Sequence, residues 1–174
     1  KIYGGFNFAG AELGHIVIQV DGEPCACGRR GCWEAYASAT ALIRQTRRAM
    51  EAHPESGMWQ IAGALENVDG RTAFDGMRAG DPAAQEVVGR YIQYIACGLI
   101  NVINIFQPEV LCIGGGICKE GDALLRPIER YIESERYSKY SAYQTRLCVA
   151  TLGNDAGIIG AAYLSEAGIQ DLKK

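Results

Sequence analysis

His15, Cys25, Cys27 and Cys32 follow one another in the order H-x9-C-x-C-x4-C, so three of the chain's seven cysteines fall between positions 25 and 32. Zinc takes thiolate and imidazole in tetrahedral sets, at roughly 2.3 Å from sulfur and 2.0 Å from nitrogen, and this order offers four such donors. Gly28 and Gly31 let the intervening loop fold back on itself. Four protein ligands leave no open position for water or substrate, so the expected metal is structural. The plainer alternative is a pair of surface cysteines with redox activity. C-x-C is too tight for an easy disulfide and lacks the C-x-x-C redox spacing.

Two acids flank this cluster: Glu12 lies three residues before His15, and Glu34 two after Cys32. Carboxylates only accept hydrogen bonds, which is what a ring of sugar hydroxyl donors requires. Each also has a simpler role open to it. Glu34 in a first helical turn complements the helix dipole, and Glu12 can be solvated.

The elements that must position these residues are legible in part. HIVIQV, His15 to Val20, is β-branched and alternating, and runs into Asp21-Gly22, which predicts a strand and a turn. From Trp33 to Met50 the composition turns helical, with Arg44, Arg47 and Arg48 expected on a solvated face. Residues 53–80 suggest only short helices, in WQIAGAL and TAFDGMRAG. Asp81 is a good N-cap, Pro82 suits the first helical position, and Val88, Tyr91, Ile92, Ile95, Leu99, Val102, Ile103 and Phe106 recur at three and four. This helix should stop at Gln107-Pro108. Then come a buried strand at Glu109 to Ile113, a glycine turn at Gly114-Gly115-Gly116, and an amphipathic helix from Asp122 to Arg136. A strand at Thr145 to Ala150 and a small-residue helix from about Ala156 to Ala167 complete an α/β pattern, a sheet flanked by helices.

The 174 residues suffice for one domain with a sizeable core, and the formal net charge of -3 gives no footprint for nucleic acid or an anionic membrane. No apolar run reaches the roughly 20 residues of a membrane span, and a cytoplasmic location is expected. Cys97, Cys112, Cys118 and Cys148 lie in apolar contexts and should be buried as small hydrophobes. Lys1 opens a stretch already patterned like structured chain, which reads as a piece of something larger.

AGAELGH followed by GEPCACGRRGCWEAYAS resembles the signature of the ROK family, which groups sugar kinases with sugar-responsive transcriptional repressors. The resemblance continues through GLINVINIFQPEVLCIGGGI to GNDAGIIGAAYL. It implies an actin-like, ribonuclease H-like ATPase architecture of two α/β domains around a cleft, with a mixed sheet and a structural zinc loop. Residues 1–174 would be a single domain, the C-terminal half, with the N-terminal domain absent. The implied zinc ligands are His15, Cys25, Cys27 and Cys32, the implied sugar contacts Glu12, His15 and Glu34, and the implied adenosine-side motif Gly114, Gly115 and Gly116. For Gly160, Ala161 and Ala162, tight helix packing is an alternative to a part in the adenosine side, and Gly4-Gly5 is not taken as a phosphate loop.

By the same resemblance the intact protein is expected to be an ATP-dependent hexose kinase. It would be glucokinase-like, use magnesium with ATP, and assemble as a dimer or tetramer. The phosphate motif and the general-base aspartate would lie in the absent half, so the fragment alone should be inactive. The rivals are a family repressor that binds sugar without chemistry and a zinc-stabilised scaffold with no ligand. N-acetylated hexosamines or allose stay open beside glucose.

Overall fold

The computed structural model describes residues 3–153 and 155–171, the last eight of them by backbone alone. The helices are α1 (Glu34–Ala37), α2 (Ala39–Ala52), α3 (Met58–Ala62), α4 (Thr72–Arg78), α5 (Pro82–Phe106), α6 (Asp122–Glu135) and α7 (Asp155–Asp171). The strands are β1 (Val110–Ile113) and β2 (Arg146–Val149).

The spine is α5, whose 25 residues span about 37 Å at 1.5 Å per residue. Asp81 caps it as its sequence predicts: Oδ1 accepts the Ala84 amide at 2.8 Å, while Oδ2 accepts the Ser56 hydroxyl at 2.8 Å and the Gly57 amide at 2.6 Å. One carboxylate thus starts the helix and ties down the loop before α3. At the other end Gln107 adopts the left-handed conformation, φ 42°, and Pro108 follows, so the helix cannot continue.

Val88, Tyr91, Ile92, Ile95, Leu99, Val102 and Ile103 are buried along α5, but Phe106 at the frayed end is half exposed. Leu42, Thr46 and Met50 of α2, and Leu124, Ile128 and Ile132 of α6, repeat every four residues and turn one stripe of each helix to this core. Each fully buried aliphatic side chain there contributes about 1.5–3 kcal/mol relative to exposure.

β1 and β2 pair in parallel, Val110 with Arg146 through Ile113 with Val149, with α6 as the crossover between them. Leu111, Ile113 and Leu147 pack on the core from one face. The architecture is α/β, but among the described residues the sheet holds these two parallel strands and is not mixed. Nor is β1 buried on both faces, since Val110 and Cys112 are exposed.

Three further expectations are corrected. His15 to Val20 forms no strand; apart from a bridge between Val17 and Cys32, its amides at Ile18 and Gln19 turn to the Gly31 carbonyl, so the segment is used up wrapping the cysteine loop. The helix from Trp33 breaks at Ser38, whose extended backbone (ψ 163°) and side-chain oxygen, accepting the Ala41 amide at 3.1 Å, restart it as α2. The arginines of α2 are not simply solvated. Arg48 pairs with Glu23 at 2.6 Å, Arg47 donates to the Leu65 carbonyl at 2.8 Å, and Arg44 donates to the Ala35 carbonyl.

The scattered cysteines are not core residues either. Cys97 and Cys112 are exposed, and Cys118 and Cys148 half-buried. Cys97 falls on the outer face of α5, and register sets Cys112 opposite Cys148 with 2.7 Å between sulfurs.

Candidate metal centre and binding sites

The cysteine loop is built by short-range hydrogen bonds. The Gly28 amide donates to the Cys25 carbonyl at 3.0 Å and the Cys25 amide to Arg29 at 2.9 Å, closing a tight turn that requires φ 86° at Gly28. Pro24 and Arg30 bridge the base of the turn. Gly31, at φ 78°, passes so close to Gln19 that a Cβ would lie 1.7 Å from its carbonyl oxygen. These turns deliver Cys25, Cys27 and Cys32 to one side, and a 3-10 turn, Leu13–His15, brings the imidazole to the same place.

One donor atom from each of His15, Cys25, Cys27 and Cys32 lies within 4.8 Å of all the others. His15 Nδ1 is 3.5 Å from Cys25 Sγ, and the Cys27 and Cys32 sulfurs are 3.6 Å apart. A tetrahedral zinc with the usual bond lengths separates nitrogen from sulfur by about 3.6 Å and sulfur from sulfur by about 3.8 Å. The donor set and its spacing therefore fit the ion. Burial, then hydrogen bonds with Cys27 and Cys25, push the Cys32 thiol up to about 11, while the Arg29 backbone amide draws Cys27 below its ordinary value. A divalent ion would offset the charge of thiolates held this close together.

The loop is anchored through Glu23. Its amide donates to the Tyr36 hydroxyl at 2.6 Å, and its carboxylate takes both terminal nitrogens of Arg48 at 2.6 and 3.2 Å. Hydrogen bonding from Arg48, working against partial burial, holds this carboxyl below the usual range. Neither Glu23 nor Tyr36 stood out in the sequence. Their roles depend on partners 13 and 25 residues away.

Of the two flanking acids, Glu34 opens α1 with its Oε1 3.9 Å from the Cys25 sulfur. Gly14 lies directly against it, since a Cβ there would be 3.5 Å from Glu34 Cβ. Glu34 therefore faces the turn that carries His15. Glu12 is exposed at the head of that same turn and has no side-chain hydrogen bond or ion pair among the described residues. Glu12 precedes the turn as its N-cap, three residues before His15.

The glycine run forms a separate group. Gly114 continues β1, Gly115 adopts φ 100°, and Gly116 begins a 3-10 turn to Glu120. Beside it is a cavity of about 590 Å³ lined by Ala39, Leu42, Gly70, Arg71, Gly116 and Lys119, among others. Arg78, also on its wall, is engaged by Glu120 at 2.6 Å and by Asp75. Lys119 has no carboxylate partner among the described residues, whereas Arg71 lies beside Asp69, which accepts its amide at 2.9 Å. Sequence reasoning missed both cations: Arg71, at the head of α4, meets the glycine turn only in three dimensions, while Lys119 lies within that turn. Asn154, in the GNDAG stretch, lies outside the described residues.

The glucokinase of Thermotoga maritima is 39% identical over 154 residues, covering 88% of this chain and 48% of that protein. A ROK family glucokinase from Streptomyces griseus, solved with glucose and AMPPNP, has a TM-score of 0.83 at 32% identity, over 94% of this chain and 54% of its own. The xylose repressor of Bacillus spizizenii is 26% identical over 99% of this chain and 41% of that protein. The chain spans about half the length of the glucokinases it matches. The model of the ROK family matches residues 1–167, across the cysteine loop, the spine helix and the glycine run alike, and the chain belongs to that family.

Proposed function

We propose that this chain is the sugar- and nucleotide-side half of an ATP-dependent hexose kinase, converting glucose to glucose 6-phosphate. Glu12, His15 and Glu34 would accept and orient sugar hydroxyls, and His15, Cys25, Cys27 and Cys32 would hold a zinc ion. When bound, zinc supplies no chemistry to the reaction and stiffens the loop that aims these groups. The observation that carries the reading is Glu34 standing 3.9 Å from the Cys25 sulfur, on the first residue of a helix. His15 contributes twice: Nδ1 faces the thiol cluster, which leaves Nε2 for a hydroxyl.

Gly114, Gly115 and Gly116, with the adjoining cavity, would take the adenosine side of ATP, for glycine backbone admits a flat ligand closely. The step itself is positioning plus neutralisation of phosphate charge, with magnesium carried by ATP. No carboxylate here is assigned as general base. That aspartate, and the phosphate-gripping motif, would come from the part of the parent protein that this chain does not span, so the chain alone should not phosphorylate sugar. Support comes from the glucose and AMPPNP of the Streptomyces griseus complex and from the Thermotoga maritima relative. The cytoplasm, and a dimeric or tetrameric parent, complete the reading; no helix among the described residues is long and apolar enough to cross a membrane.

The similarity to the xylose repressor favours a second reading, sugar binding without phosphoryl transfer. Calorimetric titration with glucose, wild type against Glu34→Ala, tests the sugar site. Equal affinity in the two would refute the assignment of Glu34. Coupled assay of ATP consumption by the intact parent separates kinase from repressor.

A further inference from the structure

Trp33 stands between Cys32 and Glu34, and its indole is seated on Gly98 in the middle of α5. A Cβ on Gly98 would lie 1.9 Å from Cε2, 2.2 Å from Cδ2 and 2.4 Å from Cζ2 of the indole, separations that side-chain carbons do not adopt. The indole N–H donates to the Tyr94 carbonyl at 2.7 Å. In the α-helical ladder that carbonyl is also the partner of the Gly98 amide, so the ring sits over the very step where the glycine leaves room for it.

Two more contacts join the same surfaces. The Tyr36 and Tyr94 rings pack with centroids 4.6 Å apart, and the Tyr91 hydroxyl donates to the Ala37 carbonyl at 3.1 Å. Tyr91, Tyr94 and Gly98 are spaced by three and four, one face of α5. The helix that begins at Glu34 is a single turn of four residues and cannot hold its own orientation. Its orientation is taken from α5.

We propose that Trp33 and Gly98 are positioning residues: a joint in which the indole, locked against a glycine of the spine helix, sets where Cys32 and Glu34 stand on either side of it. The proposal rests on the reading of Glu34 as a sugar contact. Neighbouring α-carbons are only about 3.8 Å apart, so a shift of the ring is passed to both flanking residues. To reach ordinary contact with a new methyl group the ring must retreat by more than an ångström. Hydrogen bonds to a sugar hydroxyl do not survive such a shift, since their useful range is about 2.5–3.0 Å.

The test compares the wild-type chain with Gly98→Ala, Gly98→Ala/Trp33→Leu and Trp33→Phe. Two quantities are measured: the alkylation rate of Cys32 by iodoacetamide in chelator-treated protein, located by mass spectrometry, and the glucose dissociation constant. Cys32 is fully buried in wild type, so it should label slowly. Gly98→Ala should speed its labelling and weaken glucose each by about tenfold, with unchanged far-UV circular dichroism. Trp33→Leu in that background, which frees the space, should recover most of both; loss of packing in general would not be rescued by a second truncation. Trp33→Phe keeps a ring and loses the N–H, and should fall between.

Labelling and affinity that do not change in Gly98→Ala, or no recovery in the double variant, overturn the proposal. Should Gly98→Ala fail to fold, wild-type values for Trp33→Phe in both measurements overturn it. If wild type itself takes up no glucose, the sugar assignment of Glu34 fails on its own, and Cys32 labelling still decides the joint.

Discussion

His15 Nδ1 lies 3.5 Å from Cys25 Sγ, close to the edge of a tetrahedron around zinc, although the two residues are ten apart in the chain. Freshly purified protein should therefore carry one zinc per chain by elemental analysis. Removing it with a chelator should lower the thermal midpoint by about 10 °C, since metal binding to such a loop is part of its folding free energy. An unchanged midpoint together with a metal-free preparation would sink the assignment.

Gly31 and Gly28 both have positive φ, but their surroundings differ. A Cβ at Gly28 meets open space, whereas one at Gly31 runs into the Gln19 carbonyl. Gly28→Ala should cost about 1 kcal/mol, the conformational penalty alone. Gly31→Ala should exceed about 3 kcal/mol and lower zinc affinity as well, because the loop must shift. Urea unfolding with parallel zinc titrations gives both numbers, and equal penalties would contradict the packing at Gly31.

Asp81 gives a pH test. Burial would raise its pKa, but hydrogen bonds from the Ala84 amide, the Ser56 hydroxyl and the Gly57 amide outweigh it, and the carboxyl lies below its ordinary value. A depressed carboxyl contributes stability above its unfolded pKa of about 3.9 and loses it as pH falls through the folded value. Asp81→Ala should therefore cost about 2 kcal/mol at pH 7. The gap to wild type should narrow below pH 4, and a constant gap across acid pH would show that the charged cap is not responsible.

Arg71 and Lys119 both line the cavity beside Gly116. If that cavity takes a nucleotide, Arg71→Glu and Lys119→Glu should each weaken ADP binding by about fivefold at low salt, with the difference shrinking as salt screens it. Fluorescence titration with a labelled ADP measures this. Wild-type affinity in both variants would place the nucleotide elsewhere.

Much of the fold was legible because its signals are local. Asp81-Pro82 and the three-and-four recurrence after it mark α5 from start to stop, while α6 is marked by its apolar stripe Leu124, Ile128 and Ile132, with no side-chain cap at its start. The chemistry of the cysteine loop was equally local, as Cys25, Cys27 and Cys32 sit within one short turn. Where expectation failed, a competing partner was distant. HIVIQV has the alternation of a strand, yet its amides close the cysteine loop. Trp33 to Met50 has one continuous helical composition, yet the Ser38 hydroxyl inside it caps a new helix.

Residue types and spacing by themselves determined the family and the spine and brought forward four residues able to hold a metal, since capping, periodicity and residue chemistry act over a few residues. Only the tertiary structure decided that Trp33 rests on Gly98, that Glu23 takes Arg48, and that Arg71 shares a cavity with the glycine run. Those relations join positions 25 to 65 residues apart. Such contacts depend on how helices pack, and no local pattern encodes the packing.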